Sequence, residues 1–258
     1  MVSQAHDRLV VDGVELAYRV VGSGDPLVLV HSGTGTGDFD WRYQVPALAE
    51  RYRLVIPDLR GHGESSNGPL TVQAMASDLD RLCRHVDAYP AHFLAASHGS
   101  FSVLRVAMEV PGAARSVAVV GCVWHHEHLT ASFDEQLFET WPRALRQLHG
   151  RYGPNHWADL LGQLIVDRRQ NVHFEEQDFA RLPCPLLVAQ GEKDGYIEPG
   201  TSARAARAAQ DGHLFVVPCA GHAAHVEAPD VFNAGYLRFL DHAERHPMSV
   251  SDGGGYSS

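Results

Sequence analysis

The chain has 258 residues, 45% of them hydrophobic, four cysteines and a formal net charge of −10. That length and apolar content suit one large α/β domain, or such a domain carrying an insertion, and no run of about 18 apolar residues suggests a membrane span. Lys193 is the only lysine and no basic stripe is interleaved with aromatics, which argues against nucleic acid as a partner.

From the start of the chain, MVSQAHDRLVVDG lacks a basic segment followed by an apolar one, so a cytoplasmic location is expected. Leu9–Val11 and Glu15–Val21, joined at Asp12-Gly13, predict a β-hairpin. Leu27–Val30, Arg53–Pro57, His92–Ala96, Ser116–Gly121, Pro185–Gln190 and His213–Pro218 follow. Each is a short apolar run between turn residues, as strands buried on both faces of a parallel sheet require. Helical patterns lie between them at Trp41–Arg51, Thr71–Val86, His98–Val110, Gly200–Gln210 and Pro229–Glu244. The alternation predicts a doubly wound α/β sheet. It breaks for about sixty residues between Val123 and Leu182, where helical patterns surround Phe133–Leu148 and His156–Arg168. A structureless loop of that length is improbable in a compact domain. The expected organisation is therefore a core (1–122), a helical cap (123–182), the rest of the core (183–246) and a Gly/Ser-rich disordered tail (247–258). Cys83, Cys122, Cys184 and Cys219 show no CxxC spacing and sit among apolar residues, so reduced core thiols are expected. Nothing in the chain indicates an oligomeric state.

Residues 92–100, HFLAASHGS, place Ser97 between a buried strand and a helical pattern. Ala95 and Gly99 are small enough for the backbone to turn sharply there, lifting the hydroxyl clear beside a helix N-terminus. A serine needs a base and an orienting acid. Among seventeen histidines, His222 in CAGHAAHVE follows the last expected strand at the carboxyl edge of the sheet, where α/β sheets assemble their sites. Asp194 in QGEKDGYIEP precedes it, in the order Ser…Asp…His. Glu192 and Glu198 are rivals for the acid, and His225 for the base.

Four motifs in one order, HSGTG (31–35), DLRGHGESS (58–66), AASHGS and the GEKD…GHAAHVE pair, resemble the α/β-hydrolase superfamily over about residues 8–245. The resemblance implies a mostly parallel eight-stranded sheet flanked by helices, with a helical cap after the sixth strand. It implies Ser97 as nucleophile, His222 as general base and then acid, and Asp194 as its orienter. The backbone N–H groups of Gly33 and His98 would form the oxyanion hole, and no metal or cofactor is required. Ala95 stands where the first elbow glycine is usual, Ser32 where the loop usually has glycine, and His98 where a methionine, leucine or glutamine is common.

Asp58, Arg60, Gly61 and His62 resemble the family's structural turn. The cluster Trp124-His125-His126-Glu127-His128 lacks three-ligand spacing on a helix and is expected in the pocket wall rather than around a metal. Ser32, Trp124, His125, Trp141, Trp157 and Tyr196 are the candidate pocket residues, although the cap aromatics also suit its core. The expected function is hydrolysis of an ester, thioester or lactone of a small, largely apolar substrate through an acyl-enzyme. Carbon–carbon hydrolysis and acyl transfer would use the same triad. A non-hydrolytic binding protein, cyclase or lyase would use the same scaffold. Epoxide hydrolases and haloalkane dehalogenases of this fold use an aspartate at the elbow, so Ser97 disfavours both.

Overall fold

Every apolar run becomes a strand in the computed structural model, which describes residues 6–122, 124–130, 133–140, 143–149, 152–153, 155–198 and 200–248. The strands are β1 (Asp7–Val11), β2 (Val14–Val21), β3 (Asp25–Val30), β4 (Tyr52–Pro57), β5 (Ala91–Ala96), β6 (Ala114–Val120), β7 (Leu186–Gly191) and β8 (Gly212–Val217). They form one sheet in the order β1-β2-β4-β3-β5-β6-β7-β8. β2 runs antiparallel to β1 and β4, and every other pairing is parallel.

The continuous apolar runs follow from burial on both faces. Val28 and Val30 of β3, Val55 of β4, and Phe93 and Ala95 of β5 enter one core. Their neighbours Leu27, Leu29, Leu54, Ile56, Leu94 and Ala96 enter the other. Successive side chains alternate between faces, so neither face can be polar.

The helices are α1 (Gly37–Asp40), α2 (Gln44–Leu48), α3 (Val72–His85), α4 (Gly99–Glu109), α5 (Phe133–Thr140), α6 (Arg143–Leu148), α7 (His156–Asn171), α8 (Glu176–Ala180), α9 (Thr201–Ala208), α10 (Ala224–Glu227) and α11 (Pro229–Arg245). The segment expected as one helix at Trp41–Arg51 is helical only over α2, and α1 precedes it. The pattern around Phe133–Leu148 divides into α5 and α6. α8, α10 and a 3₁₀ turn at His126–His128 are too short to show a periodicity. Residues 249–258 of the expected tail, and Trp141, lie outside the described residues. No helix among the described residues is long and apolar enough to cross a membrane.

Among the described residues, helices α5 to α8 lie between β6 and β7, and specific polar contacts fasten this insert to the core. Asp167 of α7 accepts from the backbone N–H of Val72 (2.7 Å), the first residue of α3. The same helix start is capped by the Thr71 hydroxyl, which accepts from Ala74 N–H (3.1 Å). His149 donates to the Thr34 carbonyl (3.0 Å), His156 to the Gly61 carbonyl (3.0 Å) and Tyr152 to the Ser65 carbonyl (2.9 Å).

Cys83, Cys122 and Cys184 are buried as expected, but Cys219 is exposed. Its left-handed backbone (φ 59°) belongs to the turn leaving β8, which lifts it away from the core. Among the described residues no disulfide forms.

His92 in β5 is buried, with its Nδ1 at 2.8 Å from the Ser116 hydroxyl. Burial first, and the Arg115 charge second, push its pKa down to about 4. An unfolded histidine titrates near ~6.5, so this group's contribution is complete above that pH and is lost as pH falls toward 4. Between pH 7.5 and 5, His92→Phe is expected to lose about 2 kcal/mol less stability than the wild type. Denaturant unfolding at the two pH values measures the difference, and equal losses would contradict it.

Candidate active site

β3 lies between β4 and β5, so the chain leaves β3 toward one side and β5 toward the other. The loops after these two strands therefore open side by side at the carboxyl rim, a switch point suited to ligands. HSGTG occupies the first loop and Ser97 the second.

Ser97 adopts a left-handed conformation (φ 46°), rare for a residue with a side chain. Its N–H is held by the Val120 carbonyl (2.8 Å), and its own carbonyl accepts from Ser100 N–H (3.0 Å) as α4 begins. Gly99 passes directly under the loop after β3, where a methyl group would overlap the His31 carbonyl oxygen. The buried His31 ring fixes that loop. Its Nδ1–H donates to the Ser32 carbonyl (2.6 Å), and its Nε2 accepts from Leu59 N–H (2.8 Å). Burial pushes its pKa down to about 3, so it keeps this neutral, two-ended role. Asp40 completes the loop by accepting from Ser32 N–H (2.7 Å). Its burial raises its pKa to about 6 against that hydrogen bond.

Three side chains from three loops converge. Ser97 Oγ lies 3.1 Å from His222 Nε2, and His222 Nδ1 lies 2.9 Å from Asp194 Oδ2. A carboxylate can only accept, so Nδ1 carries the imidazole proton and Nε2 is left to accept from the serine hydroxyl. The Asp194 side chain is fully buried, and its other oxygen accepts from Tyr196 N–H (2.9 Å). The turn after β7 is fixed by Asp194 N–H to Gly191 O (3.1 Å) and Lys193 N–H to Ala220 O (2.8 Å). The rival carboxylate Glu192 instead accepts from Cys219 N–H (2.8 Å), and Glu198 is exposed. His225 is buried near Trp41, with its carbonyl taken by Gln44, and its ring makes no bond to Ser97 or Asp194.

A cavity opens at this point. Its wall includes Ser32, Gly33, Ser97, His98 and His222 from the core loops. Among the described residues, neither Gly33 N–H nor His98 N–H has a protein acceptor. A methyl group on Gly33 would lie 3.0 Å from His98 Cβ, so the two residues stand against each other. The opposite wall is α7, through Leu161, Leu164, Ile165 and Arg168. Arg168 is almost wholly buried and ion-paired with Asp134 of α5. No partner among the described residues reaches His98 Nε2, and burial, with Arg168 nearby, pushes its pKa down to about 3.

Other expected pocket residues stand elsewhere. Trp124 is buried between Phe179 and His128, with its indole N–H on the Thr201 carbonyl (3.2 Å), and belongs to the core beneath the insert. His125 pairs with His173 (3.1 Å) at the surface, and Trp157 packs under the Arg146 guanidinium. Tyr196 meets the His222 ring edge-on (5.3 Å) without lining the cavity. Asp58 and Arg60 have structural partners, as the sequence suggests. Asp58 accepts from Gly37 and Glu64 N–H groups, and Arg60 makes a two-point ion pair with buried Asp78 (2.6 and 2.7 Å).

Asp40 and Arg168 are cavity residues that the sequence reading passes over, and His225, weighed there only as a rival base, also lines the cavity. Arg168 had a signal. Positions 161, 164, 165 and 168 form one helical face, and an arginine completing an apolar stripe is unusual.

Residues 27–234 match the alpha/beta hydrolase family. The chain belongs to that family. A relative named as a candidate carbamate hydrolase, RutD, from Azorhizobium caulinodans is 26% identical, over 87% of this chain and 94% of that protein. Among solved structures, the enol-lactonase of Burkholderia xenovorans LB400 superposes with a TM-score of 0.75 at 20% identity, covering 91% of this chain and all of that one. The meta-cleavage product hydrolase of Pseudomonas fluorescens IP01 gives 0.79 at 18% identity, covering 92% and 98%. Likeness at such identities shows the shared alpha/beta hydrolase fold.

Gly99→Ala tests how tightly the elbow depends on its neighbour. Overlap with the His31 carbonyl forces a backbone shift, with an expected loss of about 2 kcal/mol in denaturant unfolding. An unchanged midpoint would show that the two loops can separate freely.

Proposed function

We propose that this alpha/beta hydrolase is a serine hydrolase that cleaves an ester, thioester or lactone through an acyl-enzyme on Ser97. The observation that carries the reading is the unbroken chain Ser97 Oγ, His222 Nε2, His222 Nδ1, Asp194. As Oγ attacks the carbonyl carbon, His222 accepts its proton, and Asp194 holds the ring in the tautomer that can do so. The carbonyl oxygen takes up the negative charge between the N–H groups of Gly33 and His98, whose freedom from other acceptors supports this role. Each such donor is worth about 3 kcal/mol of barrier. The tetrahedral intermediate collapses as His222 passes the proton to the departing alkoxide or thiolate. Water then repeats the sequence, giving its proton to His222 and releasing the acid.

The cavity supports a small substrate that is largely apolar, because Leu161, Leu164, Ile165 and Val226 contribute much of its wall. Arg168 and the His98 imidazole add one polar corner. A substrate carrying a single anionic or strongly polar group beyond the scissile carbonyl suits that corner better than a plain alkyl ester. The fold likenesses include an enol-lactonase and a meta-cleavage product hydrolase.

A fluorophosphonate probe is expected to label Ser97 in the native protein, and Ser97→Ala to abolish labelling. Turnover of short p-nitrophenyl esters should fall roughly 10⁴-fold or more in Ser97→Ala and His222→Ala. Folded protein that neither labels nor turns over any ester, while binding small ligands tightly, would favour a non-hydrolytic role.

Arg168→Gln is expected to raise KM roughly tenfold for an ester carrying a terminal carboxylate, and less for its neutral analogue. Equal changes for both esters would remove Arg168 from substrate recognition.

A further inference from the structure

Away from this rim, Asp211, His213 and His242 bring three donor groups to one point. Asp211 immediately precedes β8, and His213 is the second residue of that strand. His242 lies in the last turns of α11, 29 positions further along the chain. The His213 Nε2 is 2.8 Å from Asp211 Oδ1, and the His242 Nε2 is 3.0 Å from Oδ2. All three donor atoms lie within 4.8 Å of one another, and each residue is only partly buried. The rings are held from outside. His213 meets His242 edge-on (4.6 Å) and Phe239 edge-on (5.7 Å), and His246 stacks on the far side of His242 (4.6 Å).

We propose that Asp211, His213 and His242 form a binding site for a borderline divalent cation, zinc being the best fit. Two imidazole nitrogens and one carboxylate oxygen are the donor set that such ions prefer over magnesium or calcium. Zinc bonds of about 2.0–2.1 Å place tetrahedral donors roughly 3.4 Å apart. The imidazole-to-carboxylate separations here are therefore a few tenths of an ångström short, as expected where hydrogen bonds stand in for metal bonds. A small opening of the three side chains admits the ion once each ring carries its proton on Nδ1 or releases it to solvent, leaving Nε2 to bind, and water completes the shell from the exposed side.

The position decides what the ion does. β7 and β8 run parallel, and the turns carrying Asp194 and His222 follow their far ends. Asp211 and His213 stand at the opposite end, a strand length of about 17–20 Å away. The ion therefore takes no part in catalysis. It ties the start of an edge strand to the end of the helix packed behind it.

Titration of the chelator-stripped full chain with zinc sulfate, followed by calorimetry, tests this. One ion per chain is expected to bind with micromolar or tighter affinity, and to raise Tm by about 5 °C at hundredfold excess over Kd. His242→Gln and Asp211→Asn, both at partly exposed positions, should weaken binding at least tenfold while circular dichroism stays native. Ester turnover should be the same with and without the ion. No saturable binding would overturn the proposal and leave a hydrogen-bonded trio only. So would binding unchanged in both variants, which would place the ion on other histidines.

Discussion

The left-handed backbone at Ser97 is the constraint around which the site is arranged. A side-chain-bearing residue in that conformation is costly by about 1–2 kcal/mol, so surrounding structure must hold it there. The hold comes from Val120 on the neighbouring strand, from the first turn of α4, and from the His31 loop that closes over Gly99. The same conformation raises the hydroxyl to the level of His222. The next N–H, that of His98, has no acceptor among the described residues at the start of a helix. Backbone strain, the reach of the hydroxyl toward His222 and the open N–H beside it are thus one feature of the backbone.

The buried histidines follow a common logic. His31, His62, His149 and His156 all use ring nitrogens on backbone carbonyls or N–H groups of the loops around the cavity. His62 reaches both the Arg60 and the Gly33 carbonyls, at 3.0 and 3.1 Å, but burial keeps the ring neutral and able to donate to only one at a time. Neutral imidazoles give rigid, short-range connections where a charged side chain would need a counter-ion. These four histidines are therefore architectural, whereas His222 faces a hydroxyl and a carboxylate at once.

Much of this was visible in the residues alone. The central strands β3 to β7 announce themselves because burial on both faces turns each into an apolar run, while β1, β2 and β8, less buried, show only as short runs beside turn residues. Ser97, Asp194 and His222 meet because each follows a parallel strand at the same rim. The pocket wall was harder to read. Aromatics such as Trp124 and Trp157 attract attention in a sequence, yet large rings are most useful in packing, and there they are found. The wall is built instead from the ordinary stripe Leu161, Leu164, Ile165 and Arg168, whose orientation depends on how α7 crosses the rim. No local pattern specifies that crossing. The trio at Asp211 was equally hidden, since His242 joins Asp211 and His213 only through the docking of α11 against β8.

Asp167 gives the insert a second identity. One of its oxygens closes the first turn of α3, a helix of the core, while the other receives Asn171 at the far end of α7 (2.6 Å). A single carboxylate is thereby shared between the roof of the cavity and the scaffold below. The roof is consequently not an interchangeable cassette: a transplanted helix lacking an acid at that point would leave the Val72 amide orphaned in the interior.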